Sequence, residues 1–201
     1  MLEQRIQQQF FDSADLQYQT AEALSRPIAE AAQALTGCIT CGGKLLVGGT
    51  GGAAALAQHF CAAWVDRFER ERPGLAALSL ASDSALLTRL PAPQVFAKQV
   101  QALGQGGDVL LLIDGQVHGH AHGQVFDAAI TAAHARDANV VLLASAAAAG
   151  AAALQAKLKE TDVLLAVPHE RAARVLEMQL LVLHCLCDAV DVQLMGEQDS
   201  A

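Results

Sequence analysis

The chain has 201 residues, 53% of them apolar, which is enough for one domain with a real core and excludes a disordered tail. Lys and Arg number 13 against 21 Asp and Glu, a formal net charge of -8, so non-specific attraction to nucleic acid or anionic lipid is disfavoured. The start, MLEQRIQQQFFDSADLQ, has no cationic region followed by an apolar run, and no segment nears the roughly 18 apolar residues of a membrane helix. With an odd count of five cysteines fitting free thiols in a reducing compartment, the expected location is the cytoplasm.

The first 41 residues predict two helices, 2–22 with apolar positions at Leu2, Ile6 and Phe10, and 25–41 with Ile28, Leu35 and Ile39. Ser25 is the expected N-cap of the second, and Pro27 suits its first turn. Strands are expected at 44–48, 75–80, 108–113, 139–143 and 162–167, all continuous apolar runs without polar alternation, as strands buried on both faces require. Helical stretches fall at about 53–69, 93–103, 122–136, 146–159 and 170–192. Alternating strand and helix defines the fold class as α/β, a doubly wound parallel sheet of five strands flanked by helices. The whole chain reads as one domain, an N-terminal helical segment 1–43 suited to oligomerisation followed by an α/β core 44–201. Ligands of such sheets sit at the carboxyl ends of the strands, which directs attention to the loops there.

The loop after the first strand is Gly48-Gly49-Thr50-Gly51-Gly52, leading into Ala53 and a helix. A glycine loop at a helix start aims backbone N–H groups and a positive helix end at one point, a cradle for an anion. Three readings stand side by side. Gly49, Gly51 and Ala54 satisfy a dinucleotide fingerprint, with Asp83 as the ribose acid. A sugar phosphate is the second ligand class. In the third, the glycines only let a strand turn sharply into a packed helix.

Gly49-Thr50-Gly51-Gly52 followed by Ala57-Gln58-His59-Phe60, the run Arg67 to Pro73, Ala97-Lys98-Gln99-Val100 and Gly107 to Leu111 together resemble the sugar isomerase (SIS) domain family over nearly the whole chain. The likeness is to its phosphoheptose isomerase branch and its initiator-associating branch. Arg174 to Met178 and His184-Cys185-Leu186-Cys187-Asp188 lean toward the latter. The resemblance implies a homotetramer joined through the N-terminal helices and a phosphosugar pocket at a subunit interface.

It also implies a site that can be checked position by position. Working phosphate sites of the family place Ser at the head of the first core helix, where this chain has Ala53, and a serine-rich loop after the third strand, where it has Asp114-Gly115-Gln116. A carboxylate at contact distance repels a phosphate by about 1 kcal/mol even in water and by several when partly buried. The family's metal and acid/base cluster pairs a His and a Glu four residues apart with a Gln and a His eight apart. Here His59 and His184 remain, whereas the Glu position is Ala63 and the Gln position is Leu176. No resident cofactor is therefore expected; zinc is the one metal the resemblance raises, with His59 and His184 as its remaining ligands. Leu90-Pro91-Ala92-Pro93 shortens a loop that carries an Asn-Asp pair in relatives.

Elsewhere, His118, His120 and His122 form a histidine-rich loop, and Cys38 and Cys41 a C-x-x-C expected to be buried thiols; Cys61, Cys185 and Cys187 are expected in the core. Arg67 to Arg72 reads as a solvated helix end, and His134 and His169 as surface residues. Leu194 and Met195 follow the last helical pattern and match the apolar pair with which the initiator-associating relatives touch the replication initiator DnaA. These substitutions favour a non-catalytic homotetrameric scaffold that binds DnaA and regulates replication initiation. The alternatives are a phosphosugar isomerase of the phosphoheptose type or a sensor of carbohydrate derivatives.

Overall fold

The computed structural model describes residues 1–115, 121–147 and 151–197, the side chains of 121–123 and 151 excepted. Five strands, β1 (Leu45–Thr50), β2 (Ala77–Ser79), β3 (Val109–Asp114), β4 (Asn139–Ser145) and β5 (Val163–Val167), form one sheet in the order β2-β1-β3-β4-β5. Every pairing is parallel, and Leu45 aligns with both Ala77 and Val109. All five predicted strands are present. β2 is the shortest and lies at an edge.

The apolar runs are continuous because each strand feeds two cores. Alternate side chains point to opposite faces: Leu45, Val47, Val109, Leu111 and Ile113 join one core, while Leu46, Leu110 and Leu112 join the other. The first is covered by helices α1 (Leu2–Thr40), α2 (Ala53–Val65) and α7 (Ala172–Met195), through Leu16, Leu24, Leu35, Phe60, Trp64, Met178, Val182 and Leu186. The second lies under α4 (Val95–Leu103) and α5 (Ala121–His134), with Phe96 stacked near Phe126 at 6.4 Å between ring centroids. Two short helices, α3 (Ser84–Arg89) and α6 (Ala151–Gln155), complete the chain.

The N-terminal segment differs from expectation. It is one helix of 39 residues, with Pro27 inside it. Ser25 caps nothing; its Oγ donates back to the Ala21 carbonyl, as a mid-helix serine does. An interior proline costs roughly 3 kcal/mol, and burial of Leu24, Ala31, Ala32 and Leu35 on either side of it offsets that cost. Full burial starts at Leu16. Leu2, Ile6, Phe10 and Phe11 are exposed, Phe10 to 73% and Phe11 to 61%. At 1.5 Å per residue, α1 is roughly 58 Å long, and ahead of Leu16 it meets α7 through polar contacts, Gln9 with Arg171 and Arg174 and Ser13 with Glu177.

Candidate functional site

The strand order reverses direction at β1, so the crevice between the carboxyl ends of β1 and β3 is the topological switch point. The register sets Thr50 beside Asp114 there. Two glycines make the turn feasible. A Cβ at Gly49 would lie 2.2 Å from the Ala53 carbonyl oxygen, and Gly51 has φ 57°. Gly52 is the N-cap of α2, with no side chain to cap it. From the other strand, a Cβ at Gly115 would come 2.9 Å from the Thr50 oxygen and 3.0 Å from the Ala53 nitrogen. Gly115 thus seats the end of β3 directly on the start of α2, and Gly49 to Ala53 and Asp114-Gly115 form one lip.

That lip is fastened from α7 by a residue the sequence did not single out. Gln179 is fully buried, and its Nε2 donates to the Asp114 carbonyl at 2.7 Å and, at 3.5 Å, to that of Leu143. A glutamine within an apolar stretch of helix was the available signal, since a buried amide must find partners. Thr50 Oγ1 is also buried, with no hydrogen-bond partner among the described residues. Beside the lip a cavity of about 500 Å³ is walled by Leu87, Leu90, Val95, Phe96 and Val125. The shortened Leu90 to Pro93 stretch borders it, so the wall is apolar.

The two retained histidines meet. His59 on α2 and His184 on α7 lie 3.1 Å apart, Nε2 to Nε2, their rings edge to face, with Phe68 against His184 at 5.2 Å between centroids. In the neutral pair one nitrogen donates and the other accepts. Burial pushes the His184 pKa down from its ordinary value and His59 adds to this, with Glu69 acting in the opposite sense. Ala63 lies one turn beyond His59. Leu176 lies at the lip itself, its Cδ2 3.1 Å from where a Gly52 Cβ would stand. Among the described residues no three His, Cys, Asp or Glu side chains gather to hold a metal ion. Catalytic zinc takes three protein ligands, so the residues present do not fit the family's metal.

A hollow of about 350 Å³ next to His184 is lined by Ser13 and Gln17 of α1 with Glu177, Met178, Leu180 and Leu181 of α7. Ser13 Oγ donates to Glu177 Oε2 at 3.1 Å, and Arg174 pairs with the other carboxylate oxygen at 2.6 Å. The sequence marked Arg174 and Glu177 only as part of the family resemblance and gave Ser13 no role, because the three groups meet only when α1 packs along α7.

Other predicted residues fall elsewhere. Asp83 is no ribose acid: its carboxylate accepts from the Ala85 and Leu86 N–H groups as the N-cap of α3. The C-x-x-C is split, Cys38 buried and Cys41 exposed. Burial, with Asp108 nearby, pushes the Cys38 thiol up to about 11, and burial pushes Cys61 and Cys187 to about 12. Cys185, expected in the core, is exposed. Arg72 is not solvated. It pairs with Asp191 at 2.6 Å and donates to the carbonyls of Ala63 and Trp64, closing the C-terminus of α2. His134 binds Asp162 at 2.8 Å and is no free surface residue. The nitrogen Nδ1 of His169 accepts from the Arg171 N–H. Leu194 is partly buried against the first core, and Met195 is 41% exposed. The stretch containing His118 and His120, and the side chain of His122, lie outside the described residues.

A parallel five-stranded sheet with a glycine lip at its switch point and helices on both faces defines the class as an α/β sugar-isomerase fold. Residues 9–145 match the SIS domain family, and the chain belongs to it. It is 56% identical to the phosphoheptose isomerase of Methylibium petroleiphilum over 99% of this chain and 98% of that one. It is 45% identical to the phosphoheptose isomerase of an Azoarcus species over 97% of this chain and 98% of that one. Among solved structures it is similar to the phosphoheptose isomerases of Neisseria gonorrhoeae (TM-score 0.83, 36% identity, 95% of this chain and 99% of that chain) and Francisella tularensis (TM-score 0.85, 36% identity, 95% and 98%). These full-length likenesses to enzymes overturn the expectation of a DnaA-binding scaffold. No helix among the described residues is long and apolar enough to cross a membrane.

Proposed function

We propose that the chain is an aldose–ketose isomerase acting on a sugar phosphate of the phosphoheptose type. The observation that carries this reading is the His59–His184 pair, 3.1 Å apart and on the same two helices whose other residues, Gly52 and Leu176, meet at the glycine lip. At 1.5 Å per residue, His59 stands about 9 Å along α2 from Ala53, a span that an extended seven-carbon phosphate can bridge. The phosphate end then faces the helix start at Gly51 and Gly52, and the carbonyl end faces the histidines.

Isomerisation of a ketose phosphate moves a proton from C1 to C2 and another from O1 to O2. A neutral imidazole accepts the C1 proton, and after exchange with solvent a proton is delivered from it to C2. Its partner, carrying an N–H, donates to the carbonyl oxygen O2 as charge builds there and regains a proton from O1. Burial disfavours protonated His184, which suits it to accept a proton.

Ala63 and Leu176 favour one second reading, retention of a carbohydrate derivative without turnover. One experiment separates the two: sedoheptulose 7-phosphate is supplied to wild type and to His59→Ala and His184→Ala. Turnover lost by about 100-fold or more in either variant supports the acid/base pair, as general acid–base groups typically contribute 10²–10⁴-fold. Saturable binding with no turnover in any of the three leaves the sensor reading.

The exposed apolar stripe Leu2, Ile6 and Phe10, four residues apart on one helix, supports self-association through α1, and we propose a homotetramer on that basis.

A further inference from the structure

We infer that the His59–His184 pair holds no resident zinc and works as a metal-free pair sharing one proton. The inference rests on reading this crevice as the phosphosugar site, but its test reads metal and not turnover, so the two can fail separately.

Geometry alone does not decide the matter. Two ligands at about 2.0–2.1 Å from a tetrahedral zinc stand about 3.3–3.4 Å apart, close to the 3.1 Å observed. The donor set decides it. Where the family places a carboxylate, one turn from His59, the chain has Ala63, a methyl group; Ala63's backbone carbonyl is already taken by Arg72 Nη2 at 2.9 Å. Where the family places an amide, two turns before His184, it has Leu176, packed on the first core. Glu69, the carboxylate whose charge reaches His184, does not complete a group of three donors among the described residues. Glu177 lines the hollow beside His184 but is engaged by Ser13 and Arg174.

Two neutral imidazoles bring no negative charge to offset the dehydration of a divalent ion. They already satisfy one another, because the nitrogen that donates the hydrogen bond has no lone pair left for a metal. Binding zinc would break that bond and return only two of the three protein ligands such sites use.

The test is metal content and zinc titration of the whole protein, purified without chelator. Wild type is expected to carry zinc far below one per chain and to bind added Zn²⁺ weakly. Restoring both donors with Ala63→Glu and Leu176→Gln is expected to tighten binding by more than about 100-fold, since outer-shell groups alone are worth 10–100-fold. About one tightly held zinc per wild-type chain, lost in His59→Ala, overturns the inference. So does a folded Ala63→Glu, Leu176→Gln variant, verified by circular dichroism, that gains no affinity. The wild-type metal content needs no variant and stands even if the double substitution does not fold.

Discussion

Arg72 and Asp191 are the most consequential charges outside the site, because both side chains are 2% exposed. The guanidinium closes two carbonyls at the end of α2 and reaches α7 through the carboxylate, so one residue joins the two helices that carry the histidines. Asp191→Ala would leave a buried cation unpaired and is expected to cost about 3–5 kcal/mol. Urea denaturation of the variant measures this; a loss below 1 kcal/mol would show that water replaces the carboxylate. His184 sets a pH dependence whose sign follows from its depressed folded-state pKa. Above the unfolded value, near 6.5, both states are neutral and the contribution to stability is complete. As pH falls below that value the unfolded chain takes up the proton first, and stability declines until the folded value is passed. Burial is the largest cause of the shift, His59 adds to it, and Glu69 opposes it. The urea midpoint of wild type is therefore expected to fall more between pH 7.5 and 5.5 than that of His184→Gln. Equal declines would remove His184 as the cause.

Among the elements, α1 departs most from what its sequence signals. Ser25 and Pro27 are valid local signs of a helix start, and tertiary burial of Leu24, Ala31 and Leu35 overrides them. Its exposed apolar stripe is expected to hold subunits together: Phe10→Glu places a charge on that stripe and is expected to shift the assembly to smaller species in sedimentation velocity. An unchanged sedimentation coefficient would move the interface elsewhere. The strands were legible because each run had to be apolar on both faces. Arg72 and His134 were not, since their partners lie 119 and 28 residues away and no local pattern announces them. Asp83 misled for the converse reason, because one carboxylate after a strand serves a ribose or a helix cap equally well until α3 is seen.

At the scale of the molecule, the sheet and its two cores place the glycine lip and the histidine pair on the same helices. The lip was readable from spacing, with Gly49 and Gly51 both required by the backbone. The meeting of His59 with His184 was readable only through the family resemblance, as 125 residues separate them. The loss of two donors at Ala63 and Leu176 was equally visible and pointed the sequence reading to a DnaA-binding scaffold, which the likeness to phosphoheptose isomerases over nearly the whole chain overturns. What those substitutions bear on is how the proton moves. The most direct measurement is ¹H NMR of sedoheptulose 7-phosphate incubated with the protein in D₂O. The account predicts formation of the aldose phosphate with deuterium entering at the exchanging carbon, abolished in His59→Ala and His184→Ala. A substrate that stays unconverted and undeuterated from pH 6 to 9 with wild type would contradict it.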